Sequence, residues 1–179
     1  MKKGIFAAIC GIVLLQSCQK DTTFLITENS VGPLTQTTKV SELESVFVQD
    51  SIVRDSSTIQ LKSGNQKIEV FEKGGKHLLT LTPSSDSIPT IENIRILDAR
   101  YVAENGIGLS STFSDINKKY GIQKIVTTLN SIVIFPKGSN LYFTIDKGEL
   151  PDNLRFSTTI EAVQIPDEAK IKYLMLGWE

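Results

Sequence analysis

Cysteine is nearly absent from this chain of 179 residues, and its two cysteines, Cys10 and Cys18, both lie close to the N-terminus. The rest of the chain holds no thiol, so we expect neither a disulfide nor a cysteine-based metal site in the folded part. The fold has to be stabilised by its apolar core alone.

Histidine is just as scarce, since His77 is the single imidazole of the chain. It follows Lys73-Gly-Gly-Lys76, a sequence that predicts a hairpin turn, and we interpret His77 as a solvated turn residue. A Ser-His-Asp triad would have to use it, and no Gly-x-Ser-x-Gly elbow is present. The sequence therefore predicts no catalytic residue, no zinc site and no enzymatic activity.

The acidic residues are scattered, and none has a sequence context that marks it as buried or coupled to another. Carboxylate pairs can hydrolyse glycosides, and the candidates for such a pair are Glu28, Asp50, Asp98, Glu104 and Asp115. We interpret these residues as solvated surface. Calcium is disfavoured as well, because its candidate ligands lack the EF-hand spacing; they are Asp86, or Asp146 with Glu149 and Asp152.

The glycine-rich stretch Gly106-Ile-Gly108 lacks the Lys-Ser/Thr pair that completes a phosphate-binding loop. Glycine there is expected to supply a positive φ or a close backbone approach before a helix. No cofactor is predicted from any part of the sequence.

Neither sign of charge dominates the chain, which has 19 Lys and Arg against 20 Asp and Glu, a formal net charge of −1. No basic cluster stands out. Nucleic-acid binding is driven by neutralisation of phosphates and needs such a cluster, so nucleic acid is not an expected partner.

The N-terminal apolar run, Gly4 to Leu15, has 12 residues, whereas a helix needs roughly 20 to span a bilayer. It follows Met1-Lys2-Lys3, and Leu15, Ser17 and Cys18 match the cleavage box of bacterial lipoprotein signal peptides. We predict that residues 1–17 are a signal peptide and that Cys18, the new N-terminus, receives diacylglyceride and palmitate. An ordinary secretory signal with an incidental cysteine is the alternative.

An acylated Cys18 would hold the protein to a lipid bilayer, because two or more fatty chains give stable anchoring. Residues 18–23 are predicted to be the lipidated cysteine and a polar tether, and residues 24–179 a single domain with a half boundary near 84–104. The residue directly after Cys18 is Gln19 and not the Asp that acts as an inner-membrane retention signal. We therefore predict an outer-membrane protein of the cell envelope, on the periplasmic or the cell-surface face.

Short strand-like runs follow the tether, with two amphipathic helical segments between them. Apolar spacing predicts helices over Lys39–Phe47 and Ser111–Tyr120, the second begun by Thr112 with Asp115 and ended by Gly121. Alternation predicts strands at 24–27, 51–54, 58–62, 67–71, 78–81, within 91–102, and at 124–129, 131–135, 141–145, 159–164 and 171–178. The predicted class is α+β, mainly antiparallel sheet with two short helices.

The two helical segments align when one is shifted by 73 positions, which places Val40 on Phe113 and Phe47 on Tyr120. Ile52-Val53 then falls on Ile125-Val126. We interpret this as a loop–helix–strand unit used twice, and chance likeness between two short helices is the alternative.

The segment Leu25-Ile-Thr-Glu-Asn-Ser-Val-Gly-Pro-Leu34, with the following helix, resembles the opening of the RpoE-regulated lipoprotein family of enterobacteria. The resemblance continues in the segment from Gly106 to Tyr120, in Leu141-Tyr-Phe143 and in the last strand with Trp178. It implies an envelope lipoprotein of α+β fold and no catalytic residues. The repeated unit also resembles, in architecture alone, modules of outer-membrane assembly lipoproteins and β-lactamase inhibitor proteins.

The leading hypothesis is a non-enzymatic envelope lipoprotein that binds another protein or maintains the envelope. A small-ligand or glycan-binding module is the first alternative, based on Asn105–Gly108 and the aromatics Tyr101, Tyr142 and Phe143. A hydrolase of unrecognised type is the second, and it would need His77 or a coupled acid pair in a cleft.

Overall fold

The computed structural model describes residues 21–54 and 67–178, and an antiparallel sheet of eight strands dominates that part of the chain. The predicted class, α+β with mainly antiparallel sheet, is confirmed. The strands of this sheet are β4 (Asp50–Arg54), β5 (Ile68–Glu72), β6 (His77–Pro83), β7 (Ile91–Ile96), β9 (Ile122–Thr127), β10 (Ser131–Pro136), β11 (Leu141–Asp146) and β12 (Ile171–Gly177). The predicted strand at 58–62 lies outside the described residues.

The order of the strands, β4-β5-β6-β7-β12-β11-β10-β9, reads as two four-stranded meanders joined by their last strands. At the junction, Ile96 of β7 faces Leu174 of β12 and Ile94 faces Leu176. The last strand of the chain is therefore central and paired on both sides, which leaves no free edge there for a partner.

Each meander follows a short helix, so the loop–helix–strand pattern does occur twice. In the first half a 3₁₀ turn, Val40–Glu42, continues into the single-turn helix α1, Leu43–Val46, which is shorter than predicted. In the second half α2 spans Phe113–Tyr120. The shift of 73 positions holds for the helix and the next strand only, because the β4–β5 connection is longer than the β9–β10 connection.

The start of α2 follows from its sequence. The Thr112 hydroxyl accepts a hydrogen bond from the Asp115 backbone N–H, and the Asp115 carboxylate accepts one from the Thr112 backbone N–H, which completes the predicted capping box. Gly121 has a φ of +70° at the end of the helix. Asp115 is thus a capping residue.

A small second sheet contains β1 (Leu25–Ile26), β2 (Ser30–Val31), β3 (Leu34–Thr35) and β8 (Val102–Ala103) in the order β3-β2-β1-β8. Its β2–β3 turn has Gly32 at a φ of +55°, and a Cβ there would lie 2.4 Å from the Thr23 carbonyl oxygen. Only glycine fits this turn, so the predicted Val31–Leu34 turn is confirmed.

One face of the large sheet packs into the core, together with the two helices and the small sheet. Buried and half-buried side chains alternate as predicted along β5 and β10, whereas β6 and β11 have adjacent buried residues. Trp178 is buried with its indole N–H donating to the Glu28 carbonyl oxygen. The predicted strand at 159–164 is wrong: this stretch ends in a 3₁₀ turn, Ala162–Gln164, which Ile165 and Pro166 follow. Its Glu161, Val163 and Gln164 are exposed, so no sheet face is formed there.

Candidate binding face

The second face of the large sheet, here called the open face, carries half-buried side chains that no described element covers. The strand register places Glu69, Thr80, Arg95, Met175 and Tyr142 in one row across five strands. Each of these side chains is intermediate in exposure. A face of mixed aromatic and charged side chains is typical of an interaction surface.

Arg95 lies at the centre of the open face, on β7, where the two meanders meet. Its guanidinium carbon lies 4.0 Å from the centre of the Tyr173 ring, within the range of a cation–π contact. Its Nε is out of contact with solvent and has no hydrogen-bond partner. Among the described residues no carboxylate pairs with Arg95, so its charge has no ionic partner there.

Arg95 lines a hollow of about 250 Å³, here called the basic hollow. Lys67 adds a second positive charge to the basic hollow. Glu69 contributes a carboxylate to the lining of the hollow, and its Oε2 lies 3.3 Å from His77 Nε2. Glu69 is the only carboxylate among the described residues that line the hollow, and no described carboxylate pairs with the Arg95 guanidinium. The basic hollow is therefore suited to an anionic group supplied from outside.

His77 is the first residue of β6 and lies on the open face beside the turn. Its ring stacks on Phe71 with centroids 4.4 Å apart, and Nε2 is 3.1 Å from the Leu79 carbonyl oxygen. The predicted hairpin turn at 73–76 is confirmed, but the interpretation of His77 as a solvated turn residue is wrong. The Thr80 hydroxyl lies 3.4 Å from Nε2, and no serine hydroxyl contacts the ring within the described residues.

A second hollow of about 370 Å³, here called the aromatic hollow, adjoins the basic hollow through the shared residue Asn93. Phe135 and Tyr142 stack at its wall with ring centroids 5.6 Å apart. The Asn93 side-chain amide donates a hydrogen bond to the Tyr142 hydroxyl. Of the three aromatics considered as ligand contacts, Tyr142 lies here, whereas Tyr101 and Phe143 are buried in the core.

The glycine-rich loop is a turn, as predicted. Gly106 has a φ of +86°, and a Cβ on Gly108 would lie 2.8 Å from the Tyr101 carbonyl oxygen. Glu28, Glu104 and Asn105 line a cavity of about 260 Å³ beside it. This cavity is smaller than most small-molecule sites.

Asp98 is a carboxylate whose context the sequence did not reveal, since it is 1% exposed. Burial by itself would raise its pKa. Hydrogen bonds from the Arg100 side chain, the Arg100 backbone N–H and Lys76 outweigh burial and hold the pKa of Asp98 far below its usual range. The nearest groups are cations, so Asp98 is an ion-pair residue that fixes the chain after β7.

Of the remaining acid candidates, Asp50 lies opposite Glu72 in the register of β4 and β5, and both residues line a groove of about 530 Å³. Burial, followed by the nearby Glu72 carboxylate, raises the pKa of Asp50. Asp146 is paired with Lys172 at 2.6 Å. Within residues 21–54 and 67–178 no three His, Cys, Asp or Glu side chains are grouped as metal ligands.

Cys18, the predicted lipidation site, lies outside the described residues, as does the signal peptide. No helix in the described part of the chain is long and apolar enough to cross a membrane. Sequence reasoning missed Arg95, although a signal for it existed: an arginine between Ile94 and Ile96, in a strand of alternating pattern, must point away from the core.

No protein-family model matches the chain, and no curated protein matches its sequence. The fold is similar to that of the uncharacterized protein yfeY from Escherichia coli, known from a crystal structure, with a TM-score of 0.55. The match covers 84% of this chain and 97% of that chain at 18% sequence identity. At this identity the two proteins are similar in fold alone.

Proposed function

We propose that this chain is a non-enzymatic lipoprotein of the outer membrane, anchored through acylated Cys18, that binds a protein partner with its open face. The observation that carries the binding role is the Arg95 guanidinium at the centre of that face, whose Nε has no hydrogen-bond partner and with which no carboxylate of the described residues pairs. Charge complementarity indicates the partner's chemistry: an Asp or Glu side chain entering the basic hollow, with apolar neighbours against Phe135 and Tyr142. The resemblance to the RpoE-regulated lipoproteins supports an envelope role.

The anchor is tested by labelling growing cells with a clickable palmitate analogue. The wild-type protein is expected to incorporate label and the Cys18→Ala variant to lose it entirely, because no other cysteine is left after cleavage of residues 1–17. The Cys10→Ala variant is the matched control and should label like wild type. An unlabelled wild-type protein would contradict the proposal.

The binding role is tested by placing a photo-crosslinking amino acid at Met175, beside Arg95 on the open face, in intact cells. A specific protein should be captured, and the site of attachment should lie near an Asp or Glu of that protein. With the partner purified, Arg95→Gln is expected to weaken binding about 30-fold or more, because it removes one member of a desolvated charge pair.

The control for this experiment is Arg54→Gln, an equal loss of charge at the exposed Arg54–Glu44 pair on the edge of the sheet. It should bind like wild type. If Arg95→Gln and Arg54→Gln bind equally well, the guanidinium is not part of the contact. If crosslinking from Met175 captures no specific protein, the binding role itself is refuted.

A small ligand or glycan is the second candidate, favoured by the stacked rings of the aromatic hollow. Its volume lies at the lower end of the range for small-molecule sites. This candidate predicts that glycan binding is lost in Tyr142→Ala and kept in Arg95→Gln. For an acidic protein partner, Arg95→Gln is instead the variant expected to weaken binding.

A further inference from the structure

Of the three most exposed large apolar side chains among the described residues, Phe156 and Leu129 lie at one end of the large sheet, and Val163, 88% exposed, lies in the 3₁₀ turn Ala162–Gln164. Phe156 is 92% exposed and Leu129 is 86% exposed. Leu129 lies in the β9–β10 turn, and Phe156 in the connection that leaves β11 at the same end of the sheet. Exposed apolar side chains that lie in one region of the surface mark sites of interaction with proteins or membranes.

Lys147 links the chain next to Leu129 with the chain next to Phe156. Its backbone N–H donates to the Asn130 carbonyl oxygen at 3.0 Å, and its Nζ donates to the Ser157 carbonyl oxygen at 2.7 Å. Lys147 is itself 6% exposed, so the link is buried. Leu129 and Phe156 thus each lie next to a residue that is hydrogen-bonded to Lys147, and the two side chains are here called the apolar tip.

The chain that leads to Cys18 enters the fold at this same end of the sheet. Thr22 and Thr23 line a groove with Val48 and with Lys73 of the β5–β6 turn. Val48 is also exposed, to 67%. Cys18 precedes Asp21 by three residues, and three residues of extended chain span at most about 10 Å.

We infer that this end of the sheet faces the lipid bilayer and that the apolar tip inserts into the membrane interface. The inference depends on the proposed anchoring of Cys18. The strand order places the tip four strand spacings from β6, about 20 Å across the sheet end. The acylated Cys18 then contacts the membrane at one side of this sheet end and the apolar tip contacts it at the other side. In this orientation the strands run roughly perpendicular to the membrane, and the open face remains accessible to a partner.

The experiment uses the acylated protein in liposomes, with one thiol added by Phe156→Cys and labelled with the fluorophore NBD. The control is Ile88→Cys, because Ile88 is 67% exposed but lies in the β6–β7 loop at the opposite end of the sheet. NBD emission at position 156 should shift to the blue and lose intensity with spin-labelled lipid. Emission at position 88 should do neither.

Leu129→Cys gives an independent second position and should behave like position 156. Equal emission at positions 156 and 88 in protein that co-floats with liposomes overturns the inference while the anchor stands. Protein that does not co-float overturns the anchor, and the inference with it. Crosslinking between two copies through the tip, without quenching by lipid, also overturns it by identifying a second copy as the occupant.

Discussion

Phe143→Ala is expected to lower the free energy of unfolding by about 4 kcal/mol, the range for removing a large buried aromatic side chain. Phe143 is fully buried at the centre of β11, between Ile134 of β10 and Leu174 of β12. The two neighbouring strands restrict movement of the backbone, so the cavity left by the ring cannot close. Denaturant unfolding of the mature chain with Cys18→Ala, which avoids lipid, measures the loss.

Phe135→Ala is the matched control, because Phe135 lies on the adjacent strand β10 and points to the other face of the same sheet. Its ring is half-buried and stacks on Tyr142, so the loss of stability should be well below that of Phe143→Ala. The same substitution should reduce capture of a partner at the open face, which Phe143 does not touch. Equal destabilisation by both variants would contradict the assignment of the two faces.

Alternation along the strands made most of the sheet predictable from sequence. Leu174 and Leu176 point into the core while Tyr173 and Met175 point out, as their period of two requires. The long-range order of the strands was not predictable, because nothing local in β7 or β12 indicates that these two strands pair. The central position of the last strand, and with it the continuous open face, depends on that pairing.

The candidate site was predictable only in part, for the same reason. Tyr142 could be named as a candidate from its residue type. Arg95 could not, because its guanidinium lies over the ring of Tyr173, which is distant in sequence. The burial of Asp98 was not predictable from the sequence either. Its partner Arg100 is two residues away, while Lys76 comes from the β5–β6 turn.

Asp98→Asn is expected to lower the free energy of unfolding by about 3 kcal/mol at neutral pH, because it breaks a buried ionic network. The Asp98 carboxylate lies 2.6 Å from Arg100 Nη2 and 2.9 Å from Lys76 Nζ, and it also accepts the Arg100 backbone N–H. Asparagine keeps the shape of the side chain but not its charge. Arg100 and Lys76 are partly exposed and can be solvated, which keeps the loss at the lower end of the range for buried pairs.

The dependence on pH separates this charge effect from a packing effect. The folded-state pKa of Asp98 is below its unfolded value, so the ionised carboxylate stabilises the fold fully above the unfolded pKa of about 4. That stabilisation is lost progressively as the pH falls below about 4, so the difference between the free energies of unfolding of wild type and Asp98→Asn should shrink steadily in that range. Asp146→Asn, which removes the exposed pair with Lys172, should have a much smaller effect that salt suppresses. A constant difference between wild type and Asp98→Asn from pH 7 to pH 2 would mean that the side chain acts through packing, and that its ion pairs with Arg100 and Lys76 add nothing to the stability of the fold.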